Sequence, residues 1–182
     1  MCGGDKTLDN PRFQADASEL RFTPTRREDL PVLRAWLREP HVAEWWQAPE
    51  DQAQLEEHYI SRMDGRERID IFMIALRGRQ IGMIQACHLP ASDSEPANCG
   101  IDLLIGRRDL VGRGLGSSII NAFVTGYVFA TTPAEICTAD PDARNGRSIR
   151  AFEKAGFRAA RVFMDQGRPH ILLTRKRPAG TE

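Results

Sequence analysis

The stretch 100–118 constrains the fold of this chain more than any other, because it joins a strand-like run to a helix-like segment through closely spaced glycines. Ile101–Ile105 is short and apolar, as in a strand, and the residues from Leu115 onward carry apolar side chains at helical spacing. Three glycines mark the junction: Gly112, Gly114 and Gly116. Without Cβ atoms, they let backbone N–H groups face an anion at the positive end of the helix dipole. The pattern predicts a phosphate-binding loop, and the alternative is a tight turn without a ligand.

Two other phosphate motifs are missing from the sequence. No Gly-Lys-Ser or Gly-Lys-Thr follows the glycines at Walker spacing, and no β-α-β dinucleotide unit opens the chain. Nucleotide hydrolysis and dinucleotide binding are therefore disfavoured.

Composition points to a single domain with a small-molecule partner. The chain has 182 residues, and its 25 Lys and Arg balance its 25 Asp and Glu, so no basic field favours nucleic acid or a membrane surface. The four cysteines lack metal-ligand spacing, and no signal peptide or bilayer-spanning run is seen. We expect a cytoplasmic protein that uses no metal.

Hydrophobic periodicity predicts a flexible tail over 1–18 and one domain over 19–182 with the order β-α-α-β-β-β-α-β-α-β-β. The strands are expected at Leu20–Thr25, Ile69–Leu76, Gln80–Leu89, Ile101–Ile105, Ala134–Ala139, Phe157–Met164 and His170–Lys176. The helices are expected at Arg27–Arg38, Glu50–Met63, Leu115–Phe129 and Asn145–Ala155.

A second motif lies near the last predicted helix, where Asn145 is suited to cap the helix and Gly156 to end it. Asn-x-x-Ser-x-x-x-Phe-Glu-Lys-x-Gly-Phe and the Arg-Gly-Leu-Gly-Ser of the glycine loop together resemble the two cofactor motifs of the GNAT acetyltransferase superfamily. One departure is Val111, which stands where the superfamily usually has Gln or Arg. The resemblance implies an α/β (α+β) GNAT fold, a mixed sheet of about seven strands flanked by about four helices.

Within the superfamily, the chain resembles the aminoglycoside 6'-N-acetyltransferases through His-Val-Ala-Glu-Trp-Trp, Gly-Ile-Asp, Gly-Leu-Gly and the Asp-Pro before the last helix. The resemblance implies that Trp46 lies beside a polyamine-type substrate and that Asp102 and Asp140 hold and activate its amines. It also implies that acetyl-CoA is the cosubstrate. The residues expected to bind it are Leu103, Leu104, Ile105, Arg113, Gly114, Leu115, Gly116, Ser117, Asn145 and Ser148.

Acetyl transfer requires a neutral amine, whereas most amines are protonated at pH 7, so a nearby base is useful. Asp102 is the candidate base, because an apolar strand context raises the pKa of a carboxyl group. Asp140, at a strand end, is suited to bind a second ammonium. The alternative for either acid is a structural cap or a surface ion pair.

A second departure concerns the acid for the leaving thiolate. Many GNAT enzymes have a tyrosine where this chain has Phe152, and neither Tyr59 nor Tyr127 lies in such a motif. Either the thiolate leaves unassisted or through water, or the catalytic scheme differs.

Three functions remain open. Aminoglycoside acetylation is favoured. The Asp-Pro-Asp-x-Arg-Asn stretch at 140–145 also resembles acetyltransferases for hydroxylysine-type siderophore precursors, although those usually have histidine at the position of Asp102. A non-catalytic acyl-CoA-binding module would account for Phe152. In each case we expect a monomer or a homodimer.

Overall fold

The computed structural model describes residues 19–49, 51–92 and 95–179. Its strands are β1 (Leu20–Pro24), β2 (Ile69–Leu76), β3 (Arg79–Leu89), β4 (Asn98–Ile105), β5 (Ile136–Ala139), β6 (Arg158–Asp165) and β7 (Arg168–Lys176). Within the described residues, these seven strands form one sheet in the order β1-β2-β3-β4-β5-β7-β6. Neighbouring strands are antiparallel except β4 and β5, which are parallel. The mixed sheet confirms the predicted fold, whereas the predicted tail, 1–18, lies outside the described residues.

The helices are α1 (Leu30–Leu37), α2 (Pro40–Ala43), α3 (Gln52–Met63), α4 (Leu115–Phe123), α5 (Phe129–Thr131) and α6 (Gly146–Lys154). A π-helical segment, Val124–Val128, joins α4 to α5. The predicted helix Arg27–Arg38 is a 3-10 turn followed by α1, and the short helix α2 was not predicted. Asp51 caps α3 by accepting a hydrogen bond from the Gln54 N–H.

The sheet has an apolar core on each face because its strand residues alternate in direction. On β2, Ile71 and Met73 pack with α1 and α3, whereas Ile74 packs with α4. A tight turn at Arg77 and Gly78, both at positive φ, joins β2 to β3.

The sheet opens between β4 and β5. These strands pair only from Asn98 to Gly100, while β4 continues to Ile105 paired with β3 alone. Along Ile101–Ile105, the strand edge that faces away from β3 is therefore not covered by β5.

Candidate active site

A cleft follows this opening along β4, the turn after it, the start of α4 and one face of α6. Every residue predicted to bind acetyl-CoA lines the cleft except Arg113. The lining residues from that prediction are Leu103, Leu104, Ile105, Gly114, Leu115, Gly116, Ser117, Asn145 and Ser148. Two sequence motifs that are distant along the chain thus form the walls of one site.

The glycines of the loop have different structural roles. Gly112 and Gly114 have φ values of 80° and 82°, a left-handed conformation that favours glycine. A Cβ on Gly116 would instead lie 3.1 Å from the Cβ of Ala151, so this glycine lets α4 pack closely against α6. Among the described residues, no side chain caps the start of α4, and its first N–H groups remain available to an anion at the cleft.

Arg113 is exposed, and its guanidinium Nε donates to the backbone carbonyl of Asp109 at 2.6 Å. Its side chain therefore braces the loop from outside, and any role in binding belongs to its backbone N–H.

Three basic residues of α6, which we did not predict, also line the cleft: Arg147, Arg150 and Lys154. They follow one another at intervals of three and four residues, so they lie on one helical face. That spacing was visible in the sequence, and it places positive charge where a phosphorylated ligand would bind.

The ends of α6 confirm the predicted capping. Asn145 Oδ1 accepts a hydrogen bond from the Ser148 N–H at 3.1 Å. At the other end, Gly156 has a φ of 89° and the Phe157 N–H bonds to the Phe152 carbonyl at 3.1 Å. Phe152 is 3% exposed and packs edge-on against Phe157, so it belongs to the core and offers no proton to the cleft.

Asp102 lies on β4, directly before the strand residues that line the cleft. The Gln85 amide nitrogen donates to Asp102 Oδ2 at 2.8 Å. The side chain is accessible to solvent, yet enough protein surrounds it that desolvation raises the pKa of its carboxyl. Gln85 lowers this pKa, the charge of Asp140 raises it, and the Arg62 guanidinium lowers it. The direction agrees with the predicted perturbation of Asp102.

Asp140 follows the end of β5 and is close enough to Asp102 to influence its ionisation. Its backbone carbonyl accepts a hydrogen bond from His170 Nδ1 at 2.6 Å. Neither acid is among the residues that line the cleft, although Asp102 directly precedes the lining residue Leu103.

The tandem tryptophans lie at the cleft, after α2. Trp45 and Trp46 are both half-buried and both line the cleft, while Trp46 also packs against the core beneath α1 and α3. The most buried of the three tryptophans is Trp36, at 8% exposure. The tandem tryptophans predict one ring packed in the core and the other lining a pocket; in the structure the core-packed ring is that of Trp46, which is only half-buried and also lines the cleft.

Tyr59, Arg62 and Gln85 lie near Asp102 and were not predicted as site residues. Tyr59 is buried, and burial raises its pKa to about 12. These residues come from α3 and β3, and no local sequence pattern connects them.

Over residues 19–49, 51–92 and 95–179, no group of three or more His, Cys, Asp or Glu side chains is arranged to hold a metal ion. No helix in these ranges is long and apolar enough to cross a membrane.

An opened strand edge beside an uncapped, glycine-led helix is the arrangement that the sequence resemblance leads us to expect for an acyl-CoA site in an N-acetyltransferase. The chain belongs to the GNAT acetyltransferase family, whose model, described as an acetyltransferase (GNAT) domain, matches residues 25–164. Both the fold and the enzyme class predicted from the sequence are thereby confirmed.

Known relatives confirm the resemblance to aminoglycoside acetyltransferases. The aminoglycoside N(6')-acetyltransferase type 1 of Klebsiella pneumoniae is 29% identical over 161 residues, 83% of this chain and 80% of that protein. The crystal structure of aminoglycoside acetyltransferase AAC(6')-Ib in complex with coenzyme A and kanamycin matches with a TM-score of 0.77 and 28% identity, covering 87% of this chain and 95% of that one. A lysine N-acyltransferase, MbtK of Mycolicibacterium paratuberculosis, is 27% identical over 140 residues, 73% of this chain and 62% of that protein.

Proposed function

We propose that this protein transfers an acetyl group from acetyl-CoA to an amino group of an aminoglycoside, the 6'-amine. The observation that carries the proposal is Asp102, a partly desolvated carboxylate beside the cleft and within electrostatic reach of Asp140. Relatives named as aminoglycoside acetyltransferases support it over most of the chain.

The residues that line the cleft suit acetyl-CoA, which supplies the acetyl group as a thioester. The open edge of β4 at Leu103–Ile105 would hold the pantetheine. Backbone N–H groups from Arg113 to Ser117 would hold the pyrophosphate, and the basic face of α6 adds positive charge. Because the reaction consumes acetyl-CoA, we place the protein in the cytoplasm.

The acceptor would bind on the side of Asp102 and Asp140. Asp102 accepts a proton from the amine, and its raised pKa brings it closer to the pH at which a general base works best. Asp140 attracts a second ammonium, and Trp46 offers an apolar ring at the cleft. Because Phe152 has no acidic proton where many GNAT enzymes have a tyrosine, we propose that water protonates the leaving thiolate.

A screen of amines with the purified chain and acetyl-CoA, following thiol release, tests the proposal. Kanamycin or tobramycin should react, and Asp102→Asn should lower kcat more than it changes KM, because an amide keeps the shape but accepts no proton. Wild-type turnover by Asp102→Asn at neutral pH would remove Asp102 from the role of base.

The second candidate is acetylation of a hydroxylysine-type amine, favoured by the similarity to a lysine N-acyltransferase and by the stretch 140–145. Reaction with hydroxylysine derivatives and not with aminoglycosides would select it. Binding of acetyl-CoA without thiol release from any amine would instead indicate a non-catalytic module. The expected monomer or homodimer stays a prediction that a mass measurement in solution would check.

A further inference from the structure

A chain of hydrogen-bonded side chains leads from the end of α3 to Asp102. Ser61 Oγ and Arg62 Nε both donate to the carboxylate of Glu67, the latter at 3.2 Å. Arg62 Nη1 donates a hydrogen bond to Gln85 Oε1 at 2.8 Å. Gln85 Nε2 then donates to Asp102 Oδ2 at 2.8 Å. This polar chain joins α3, β3 and β4 on the face of the sheet that carries the acceptor side of the site.

Arg62 determines which way the Gln85 amide points. A guanidinium carries only donors, so the amide oxygen of Gln85 faces Arg62 and the amide NH₂ faces Asp102. In the reverse orientation, the Gln85 NH₂ would face the donors of Arg62 and the Gln85 oxygen would face the carboxylate of Asp102, so neither hydrogen bond would form. Within the described residues, Asp102 Oδ1 accepts no hydrogen bond, so this oxygen is left for an acceptor amine.

The Arg62 side chain is held firmly enough to have this effect. It is 11% exposed and is paired with Glu67 through Nε. Its guanidinium carbon lies 5.9 Å from the centroid of the Tyr59 ring. A mobile arginine would let the Gln85 amide rotate, whereas this one is fixed from two sides.

Several titratable groups surround Asp102. Those with an electrostatic effect on Asp102 or on the groups next to it are Arg62, Tyr59 and His58 on α3, Glu67 after α3, Cys87 on β3 and Asp140 after β5. Asp140 opposes ionisation of Asp102, whereas Arg62 favours it. Removing the positive charge of Arg62 should therefore make Asp102 harder to ionise.

We propose that Arg62 is a positioning residue for the proton transfer: it orients Gln85 so that the amide engages one oxygen of Asp102 and leaves the other for the acceptor amine. This inference rests on the proposed function for its chemical meaning. Its structural content, the dependence of Asp102 on Arg62 through Gln85, is measurable without any acceptor.

An NMR titration of the Asp102 carboxyl, in the enzyme without substrates and assigned with Asp102→Asn, tests that dependence. Arg62→Met and Gln85→Leu should each move the midpoint to higher pH, because each removes an interaction that stabilises the carboxylate. Arg62→Lys, which keeps the charge, should stay near the wild-type midpoint. Arg34→Met is the matched control, since Arg34 pairs with Glu56 of α3 at 3.5 Å and has no contact with Asp102.

Kinetics with a reactive amine provide the second readout. Arg62→Met, Arg62→Lys and Gln85→Leu should each lower kcat by about tenfold or more, as expected when a reacting group is misplaced, and leave acetyl-CoA affinity unchanged. The double variant Arg62→Met/Gln85→Leu should be no slower than the slower single variant, because the two residues act as one unit.

An unchanged Asp102 midpoint in folded Arg62→Met, or fully additive losses of kcat in the double variant, would overturn the inference and leave Arg62 as a structural link. If Arg62→Met does not fold, Arg62→Lys and Gln85→Leu still decide it. If no amine is acetylated at all, the proposed function fails while the NMR titration still tests the role of Arg62.

Discussion

Replacement of Gly114 by valine should separate the loop's role in cofactor binding from its role in folding. Gly114 has φ 82° and ψ 0°, directly precedes α4 and lines the cleft. A left-handed conformation costs a residue with a Cβ roughly 1–2 kcal/mol, and a β-branched side chain restricts the backbone further. The variant should fold, because this loss is small beside the roughly 5–15 kcal/mol that stabilises a typical domain.

The expected loss of affinity follows from the bonds that the loop can make. A hydrogen bond to a charged group contributes about 1.5–3 kcal/mol, so loss of one bond to the pyrophosphate weakens binding by about tenfold to 140-fold. Leu115 and Gly116 follow Gly114 at the start of α4, and a valine side chain at the cleft wall would keep the anion from their N–H groups.

Gly167→Val is the matched control. Gly167 lies in the turn between β6 and β7 with φ 77°, its Cβ would meet no atom within 4 Å, and it does not line the cleft. Both variants should lower Tm by roughly 2–8 °C, the shift that about 1–2 kcal/mol produces in a domain of this size. Calorimetry with acetyl-CoA should show weakened binding for Gly114→Val alone. Equal, wild-type affinity in both folded variants would refute the assignment of the glycine loop to the anion.

Four further changes have defined outcomes. Asp140→Asn should raise KM for an amine-rich acceptor and leave kcat near wild type in initial-rate measurements, because it removes an attractive charge and no base. The Tm of Asp102→Asn should equal that of the wild type in acid and exceed it at higher pH. The folded-state pKa of Asp102 is raised, so ionisation of this carboxyl lowers the stability of the wild type as pH rises through that pKa. Phe152→Tyr should lose about 1–3 kcal/mol in denaturant unfolding without raising kcat, because the new hydroxyl would be buried in the core. Arg150→Gln should weaken acetyl-CoA binding and reduce its salt dependence in calorimetric titrations.

The fold and the cofactor half of the site were predictable from the sequence because their signals are local. The strand before the glycine loop, the loop itself and the start of α4 lie close together along the chain, with only a 3-10 turn at Arg108–Leu110 between strand and loop. The Asn145 cap and the Gly156 helix end are also local patterns, and both are found in the structure. The basic face of α6 had an equally local signal, the helical spacing of Arg147, Arg150 and Lys154.

The acceptor side was only partly predictable, because its contacts join residues that are distant along the chain. Arg62 and Gln85 are 23 residues apart, and Gln85 and Asp102 are 17 apart. The periodicity of a helix or a strand relates residues within one element, so it does not connect Arg62 at the end of α3 with Gln85 in β3 or Asp102 in β4. The same limit applies to Trp46, because its contacts with both the core and the cleft depend on tertiary packing.

The two halves of the site also differ in how they tolerate substitution. In the proposed function, backbone N–H groups beside two left-handed glycines hold the anion, so Val111 in place of the usual polar residue removes no backbone donor. The proposed acceptor side is built from side chains, and the hydrogen bonds among Arg62, Gln85 and Asp102 form only when charge and donor direction match. Under the proposed function, a change of acceptor would therefore require substitutions around Asp102, Asp140 and Trp46 and none in the glycine loop.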